Sequence, residues 1–366
     1  MIGSVKGKRV LLLVPPVTYR ATDFVLAANR LELDVVIGSN GAQPLGGTPV
    51  VHVDPADLGE SVRRLRATVG PVDAVVAVDS DMLPLAAELG ATLGLTGNTP
   101  EAVAAAADKA IQRRLWAKAG VAQPRFQALA ADAPPAAFIV AARAVGLPCV
   151  VKPVSLSASR GVIRADDEKS LLAAVTDIRA ILADAEGSGG QTILLEEYVP
   201  GWELSIDGLL TDGAVAVTAV FDKPDTPDGP TFEETLLVTP SRLPNPTLAA
   251  AIALADRAAQ ALGVRHGPIH AELRIDQRAG GAKPVMLELA ARSIGGLCSR
   301  SLRFLGGTSL EMMILMNAVG APVEIAPPPG ASGVLMLPVE RCGVLQAVEG
   351  QAEARAVAGI TKRKLS

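Results

Sequence analysis

Aromatic side chains are scarce in this 366-residue chain, which has two Trp, two Tyr and six Phe, or 3% in all. Its core must therefore be filled by Leu, Val, Ile and Ala, and a hydrophobic content of 49% supplies them while arguing against disorder over most of the length. Charge is limited too, at 20% of residues and a formal net of -4, with acids and bases interspersed. With no basic stripe to neutralise a phosphate backbone, nucleic acid is excluded as the expected partner. Cysteine occurs three times, at Cys149, Cys298 and Cys342. An odd number without CxxC spacing argues against a disulfide framework or structural zinc and fits a reducing cytoplasm. Long apolar runs are missing as well. The N-terminal run ends at Val14 before Pro15 and Pro16, and the run around Met312–Met316 is interrupted by Asn317 and Pro322, so none reaches the about 18 residues that a membrane span needs.

A chain this long is expected to fold as roughly two to four compact units. Residues 8 to 100 alternate short apolar runs (VLLLV, DVVIG, DAVVAVD) with helical periodicity over Leu58 to Val69, a pattern of βαβ units on a parallel sheet. This part resembles a small Rossmann-like domain. Pro15-Pro16-Val17-Thr18 stands where GxGxxG would follow the first strand, so no dinucleotide is assigned to it. Residues 101 to 120, EAVAAAADKAIQRRLWAKAG, predict one helix that stops at Gly120. The stretch 121 to 200 reads as a βαβ-like unit, with strands at Cys149–Lys152 and Thr192–Glu196, a helix near 168 to 185 and a Gly187–Gly190 loop. Four further strands (LSIDGLL, AVAVTAVF, HAELRID, PVMLELA) and two helices follow up to 320, and the Pro-rich segment 322 to 330 reads as a linker to a short tail.

Three segments carry chemistry. In VVKPVSLSASRGVIRA a strand delivers Lys152 to a loop of Ser, Ala and Gly. Small residues let backbone N–H groups approach phosphate oxygens, and the lysine adds a point charge, although a solvated turn beside a surface lysine has the same composition. In EEYVPGWELSIDG one strand ends over Glu196 to Val199 and Glu203 opens the next. Such a linker offers an adenine backbone hydrogen bonds and an apolar wall, and a carboxylate for ribose hydroxyls; an acidic solvent-exposed hairpin is the alternative. In HAELRIDQRAGGAKPVMLELAARSIGG two strands each present a glutamate, Glu272 on the face of His270 and Arg274, and Glu288 on the face of Ala290 and Arg292. Buried unpaired glutamates are costly, whereas Mg²⁺ accepts one or two protein carboxylates and completes its shell with water and phosphate oxygens.

In this order the segments resemble the ATP-grasp superfamily over roughly residues 8 to 320, and within it the carboxylate-amine ligases, including the L-amino-acid (dipeptide) ligases. The resemblance implies an α/β architecture. A Rossmann-like N-terminal domain (1–108) precedes an ATP-grasp fold of two α+β subdomains, a lid (109–200) and a C-terminal subdomain with the metal site (201–322), and a short C-terminal segment follows (323–366). Lys109, after Asp108 and before an AGV turn, is similar to the family's first nucleotide lysine, and Lys152 to the second. Glu196, Glu197 and Val199 correspond to the adenine hinge, Glu203 to the ribose carboxylate, and Glu272 and Glu288 to the pair that holds Mg²⁺ or Mn²⁺. Arg292, ahead of Gly295-Gly296, matches the arginine near the γ-phosphate and the acyl phosphate, where a planar fork suits spreading negative charge. His270 matches a position beside the substrate, and equally fits a hydrogen-bonded core histidine. Lys223 and Glu233 belong to a segment, DKPDTPDGPTFEETLLVTPSRLP, that resembles the loop closing over the acceptor side, and its charges also fit a solvated flap.

The activity so implied is amide or peptide bond formation from a small-molecule carboxylate and an amine. ATP supplies an acyl phosphate, ADP and phosphate are released, and Lys152 and Arg292 act in catalysis. Two departures stand out: Glu288-Leu-Ala290 replaces the family's Glu-x-Asn, and the chain past the grasp is shorter than in relatives of this type. They keep open a nucleotide-binding protein with a regulatory, non-catalytic role. Other chemistries of the superfamily, carboxylation or thioester formation, find no biotin or coenzyme A signature. The Ala-rich helix leaves room for a homodimer contact.

Overall fold

The computed structural model describes residues 5–41, 48, 50–184, 191–278, 280–302, 304, 307–326, 330–337, 343–344 and 346–360. Cys342 and the Gly187–Gly190 loop lie outside the described residues. The chain forms two compact units, Met1–Met336 and Leu337–Ser366. The second contains a short helix at Gln351–Ala356. All that follows concerns the first.

Its N-terminal sheet is parallel, in the order β3-β2-β1-β4, from β1 (Arg9–Val14), β2 (Asp34–Ser39), β3 (Val50–His52) and β4 (Ala74–Ala77). Helix α1 (Ala21–Arg30) connects β1 to β2, α2 (Leu58–Val69) connects β3 to β4, and α3 (Leu83–Leu93) follows β4. From Val10 to Val14 strand β1 is apolar because both of its faces are covered. Leu11 and Leu13 pack with Val36, Leu65 and Leu85, and Val10, Leu12 and Val14 with Phe24 on the opposite side. Each of these side chains contributes roughly 1.5–3 kcal/mol by leaving water. The parallel sheet read from residues 8 to 100 is observed.

The single helix expected over 101–120 is two. Helix α4 (Pro100–Ala107) ends at Asp108, whose backbone is extended at φ -114° and ψ 112° and whose carboxylate caps α5 (Lys109–Ala119) by accepting from Ile111 N–H at 2.9 Å. The residues on either side are strong helix formers, so the break is imposed by tertiary contacts. Lys109 N–H donates to the Val154 carbonyl at 3.0 Å and its Nζ to the Leu156 carbonyl at 2.7 Å. Gly120 closes α5 in the left-handed region at φ 67°, as its lack of a Cβ allows.

A second sheet, β5-β8-β6-β7, is built from β5 (Phe126–Ala130), β6 (Cys149–Pro153), β7 (Ile163–Ala165) and β8 (Thr192–Glu197), with α6 (Pro135–Val145) and α7 (Glu168–Asp184) packed on it. Every neighbouring pair is antiparallel, which corrects the βαβ-like reading of Cys149–Lys152 with Thr192–Glu196. The short β7 turns the chain back before α7, so the crossover runs from β7 to β8 and β6 lies between them.

The third sheet has six antiparallel strands in the order β13-β12-β9-β10-β11-β14, comprising β9 (Trp202–Thr211), β10 (Ala214–Lys223), β11 (Leu236–Thr239), β12 (Gly267–Asp276), β13 (Lys283–Ala290) and β14 (Ser332–Leu335). Alternation sorts β9 and β12 cleanly. Leu204, Ile206, Leu210, Ile269, Ala271, Leu273 and Ile275 pack against α8 (Asn245–Leu262) and Trp116 of α5. Glu203, Ser205, Asp207, His270, Glu272 and Arg274 therefore form the opposite face. Helix α9 (Leu310–Ala318) packs beside α1. The chain beyond 323, read as linker and tail, adds β14 to the edge of this sheet; a four-residue Ser-Gly-Val-Leu strand after prolines gives little signal of itself.

Asp108→Ala should destabilise the fold by about 1 kcal/mol, the usual cost of losing an N-cap, while Asp108→Asn keeps most of that stability. Chemical denaturation of the three proteins side by side measures both.

Candidate active site

Two buried lysines reach the site from different elements. Lys152 leaves the end of β6 with its Nζ 2.8 Å from Glu196 Oε2, and Arg113 of α5 holds the other oxygen of that carboxylate through Nε at 2.6 Å. Glu196 thus faces inward, 2% exposed, between two cations. Burial alone would raise its pKa, and Arg113 and Lys152 together outweigh that and hold it below the usual carboxylate range. For Lys152 burial prevails over Glu196, and its pKa falls. Lys109 places its Nζ 3.1 Å from Glu288 Oε1, so the first turn of α5 joins the lysines to β13. The loop after β6 holds two successive non-glycine residues, Ala158 and Ser159, at φ 55° and 54°, a strain that persists where its surroundings impose it, typically at ligand clamps.

The hinge between the second and third sheets runs over Glu197 to Gly201. Glu197 lies between Arg125 Nε, at 3.0 Å, and Arg278, and the Val199 carbonyl accepts from Arg274 at 2.9 Å. Gly201 adopts φ 119° and passes so close to β12 that a Cβ would lie 2.0 Å from the Ile275 carbonyl oxygen, which excludes any side chain there.

The polar face of the third sheet carries a network of ion pairs. Lys223, 4% exposed at the end of β10, donates to Glu203 at 2.8 Å and Glu272 at 3.0 Å, and pairs with Glu234. Burial disfavours its charge, but the three carboxylates reverse the effect and raise its pKa well above the ordinary value. Glu203 also accepts from Arg274 at 2.9 Å. His270 lies between Asp207, 3.2 Å from Nδ1, and Glu272, 3.5 Å from Nε2. Its burial works against protonation, yet the two carboxylates raise its pKa to about 9. Burial would raise Glu272, but Lys223 and His270 hold it well below the usual range; Glu234, with burial and the charge of Glu272 against it, is raised.

Glu272 and Glu288 stand opposite each other in the register of β12 and β13, where Leu287 is an extra residue in a β-bulge. Their side chains are 25% and 28% exposed, and the ion pairs with Lys223, His270 and Lys109 fall on Oε1 of each, not on the Oε2 oxygens. Two such oxygens fit a hard divalent cation. Glu203, Glu234 and Glu272 also bring oxygens within 4.8 Å of one another, but the Lys223 ammonium already sits among them. Beyond β13, half-buried Arg292 donates to the Ser293 carbonyl at 3.0 Å, and Ile294 N–H donates to Asp207 Oδ1 at 3.1 Å. An apolar cavity of about 320 Å³ opens beside Ala290, lined by Leu83, Val103, Ala104 and Ala107, with Glu88 on its wall.

A family model for the ATP-grasp domain matches residues 145–301. The chain superposes on an L-amino acid ligase from Bacillus licheniformis with a TM-score of 0.81 at 25% identity, over 98% of this chain and 87% of that one. It carries an ATP-grasp domain. Carnosine synthase 1 of Gallus gallus is 35% identical over 187 residues, 48% of this chain and 19% of that protein. A D-alanine–D-alanine ligase of Xanthomonas axonopodis pv. citri is 33% identical over 128 residues, 35% of this chain and 37% of that protein. This chain thus spans well under half the length of these two relatives.

Within the ATP-grasp domain and the elements around it, Lys109, Lys152, Glu196 and Glu288 come together in one group, and Glu203, Lys223, His270 and Glu272 in the other. Glu233 is exposed, and its neighbour Glu234 makes the contact with Lys223; two adjacent glutamates in an irregular loop carry no periodicity to tell them apart. Asp207 and Arg274 were within reach of alternation, since Arg274 lies two residues from Glu272 on β12 and Asp207 four residues from Glu203 on β9. Arg113 gave no signal, because one arginine among the basic residues of an exposed-looking helix has the pattern of a solvated face.

Two measurements follow from this geometry. Because the folded-state pKa of His270 lies above the ordinary 6.5, its contribution to stability is fully present below about 6.5 and is lost as pH rises through about 9. An NMR titration of the His270 ring should find its midpoint near that value, and Asp207→Asn should lower it. Glu196→Ala, which leaves two cations buried without their counter-ion, should cost about 3–5 kcal/mol of stability, read by urea unfolding.

Proposed function

We propose that this protein is an ATP-dependent carboxylate-amine ligase that forms an amide or peptide bond through an acyl phosphate and releases ADP and phosphate. The observation that supports the reading is the 3.1 Å Lys109–Glu288 pair, which puts one of the two lysines beside a carboxylate that stands opposite Glu272 in the sheet. Lys109 and Lys152 would hold phosphate oxygens of ATP, the hinge at Glu197 and Val199 its adenine, and Glu203 its ribose. Glu272 and Glu288 would hold Mg²⁺ or Mn²⁺, which when bound neutralises charge on the transferring phosphoryl group.

The substrate carboxylate attacks the γ-phosphorus as ADP leaves. The amine then attacks the acyl carbon and phosphate departs. Arg292 is suited to the negative charge that both steps spread over oxygen, since its planar fork can donate to two oxygens at once. The cavity beside Ala290 would take the apolar part of a small substrate. Water has to be kept from the acyl phosphate, and the loop between β10 and β11 serves this role. Arg164 of β7 donates to Asp228 and the Pro230 carbonyl accepts from its N–H, while Glu234 reaches Lys223 and the Pro227 carbonyl accepts from Arg274. In this reading residues 1–108 form one wall of the substrate site, 109–200 the lid, and 201–322 the floor with the metal carboxylates.

ADP release from Mg²⁺-ATP, assayed against amino acids and small carboxylates singly and in pairs, should require a carboxylate and an amine together. ATP binding without release for any pair would overturn the ligase reading. Lys152→Ala should lower turnover by about a hundredfold or more, the scale of a positioned electrostatic group, and Arg292→Lys should also turn over poorly because a point charge does not replace the fork.

A further inference from the structure

Arg20 immediately precedes α1, at the end of the loop that follows β1, outside every motif discussed so far, and is 7% exposed. Its guanidinium donates through Nη1 to Ser293 Oγ at 3.2 Å and the Val78 carbonyl at 3.5 Å, and through Nη2 to the Ser293 carbonyl at 2.9 Å and the Ile294 carbonyl. Among the described residues no carboxylate pairs with it. A guanidinium buried among backbone and hydroxyl acceptors and near the Tyr19 ring, with no carboxylate to repay its desolvation, is a poor device for stability alone. Its value lies in where the acceptors are.

Ser293 and Ile294 immediately follow Arg292. The Ser293 carbonyl accepts from Arg292 at 3.0 Å and from Arg20 at 2.9 Å, so the two guanidiniums share one anchor. From the other side, Asp207 takes the Ile294 N–H on the same carboxylate that flanks His270. The segment carrying Arg292 is therefore gripped on its carbonyls by the loop between β1 and α1 and on its amide by the third sheet. Arg300 reinforces the first contact through Asp23 Oδ2, at 2.6 Å.

We infer that Arg20 is a positioning residue for acyl transfer. It fixes the Ser293–Ile294 backbone and thereby the direction of the Arg292 fork. The N-terminal domain thus acts on the chemistry without touching nucleotide or metal. This inference rests on the ligase reading for its effect on turnover, but the grip itself can be measured without turnover.

The test combines a double-mutant cycle with hydrogen exchange on the full chain. Arg20→Met should lower kcat for amide formation by on the order of tenfold to a hundredfold, the scale of a small misplacement near reacting atoms, and leave KM for ATP close to wild type, while the melting temperature falls because three buried carbonyls lose a donor. In an Arg292→Ala background the same change should add less than about twofold, because the group it positions is gone. Independent, multiplying effects would overturn the inference. Hydrogen exchange should accelerate in Arg20→Met at the amides of residues 293 to 296, with or without substrates, and unchanged protection there would overturn it as well. Should Arg20→Met fold poorly, Arg20→Lys, which keeps the charge and loses the fork, should show the same exchange signature with a smaller loss. If the wild-type protein releases no ADP with any substrate pair, the ligase reading falls, and the exchange result still decides whether Arg20 grips the segment.

Discussion

The ammonium of Lys223, buried among Glu203, Glu234 and Glu272, is the contact on which the rest of the site depends. Its partners come from β9, from the loop after β10 and from β12, so one charge ties three parts of the chain to a single point. Four acids, counting Asp207, stand along this face against Lys223, Arg274 and His270. Remove the lysine, and carboxylates a few ångströms apart would have to take up protons or separate, because like charges in a shielded site cannot all stay ionised. The protonated His270 answers the same need at the other end of the row. Glu272, at the boundary of this face, belongs both to the internal network and to the partly exposed pair with Glu288 across β12 and β13.

The second group, around Glu196, has a different character. Arg113 and Lys152 enclose its carboxylate completely, which makes this pair a joint between the helix and the second sheet. Its place in the nucleotide hinge comes from the resemblance, and its side chain is turned to the interior. Glu197, one residue on, faces the other way and is held by arginines at the surface. Strand alternation alone sets these two adjacent acids to different tasks.

Much of the architecture was legible because it obeys simple periodicity. The parallel strands of the first sheet appear as continuous apolar runs, and the alternation of β9 and β12 separates core from site. The failures cluster where tertiary contacts override local preference. Ala-rich sequence on both sides of Asp108 speaks for one helix, and the contacts of Lys109 with the loop after β6 break it. The orientation of β6 against β8 was misread because β7 has three residues and little pattern. Glu234 and Arg113 were out of reach for a related reason, since each acquires its role from a partner distant in the chain.

The outer margin of β13 has a further consequence. Its backbone is met by α5 and the turn after it, not by another strand: Gln112 exchanges two hydrogen bonds with Leu289 as a neighbouring strand would, Arg113 takes the Leu287 carbonyl and Ala122 receives the Met286 N–H. A helix therefore completes the sheet beside Glu288. Strand addition, the usual hazard of an exposed sheet margin, is closed along Met286–Leu289, next to the Glu288 carboxylate.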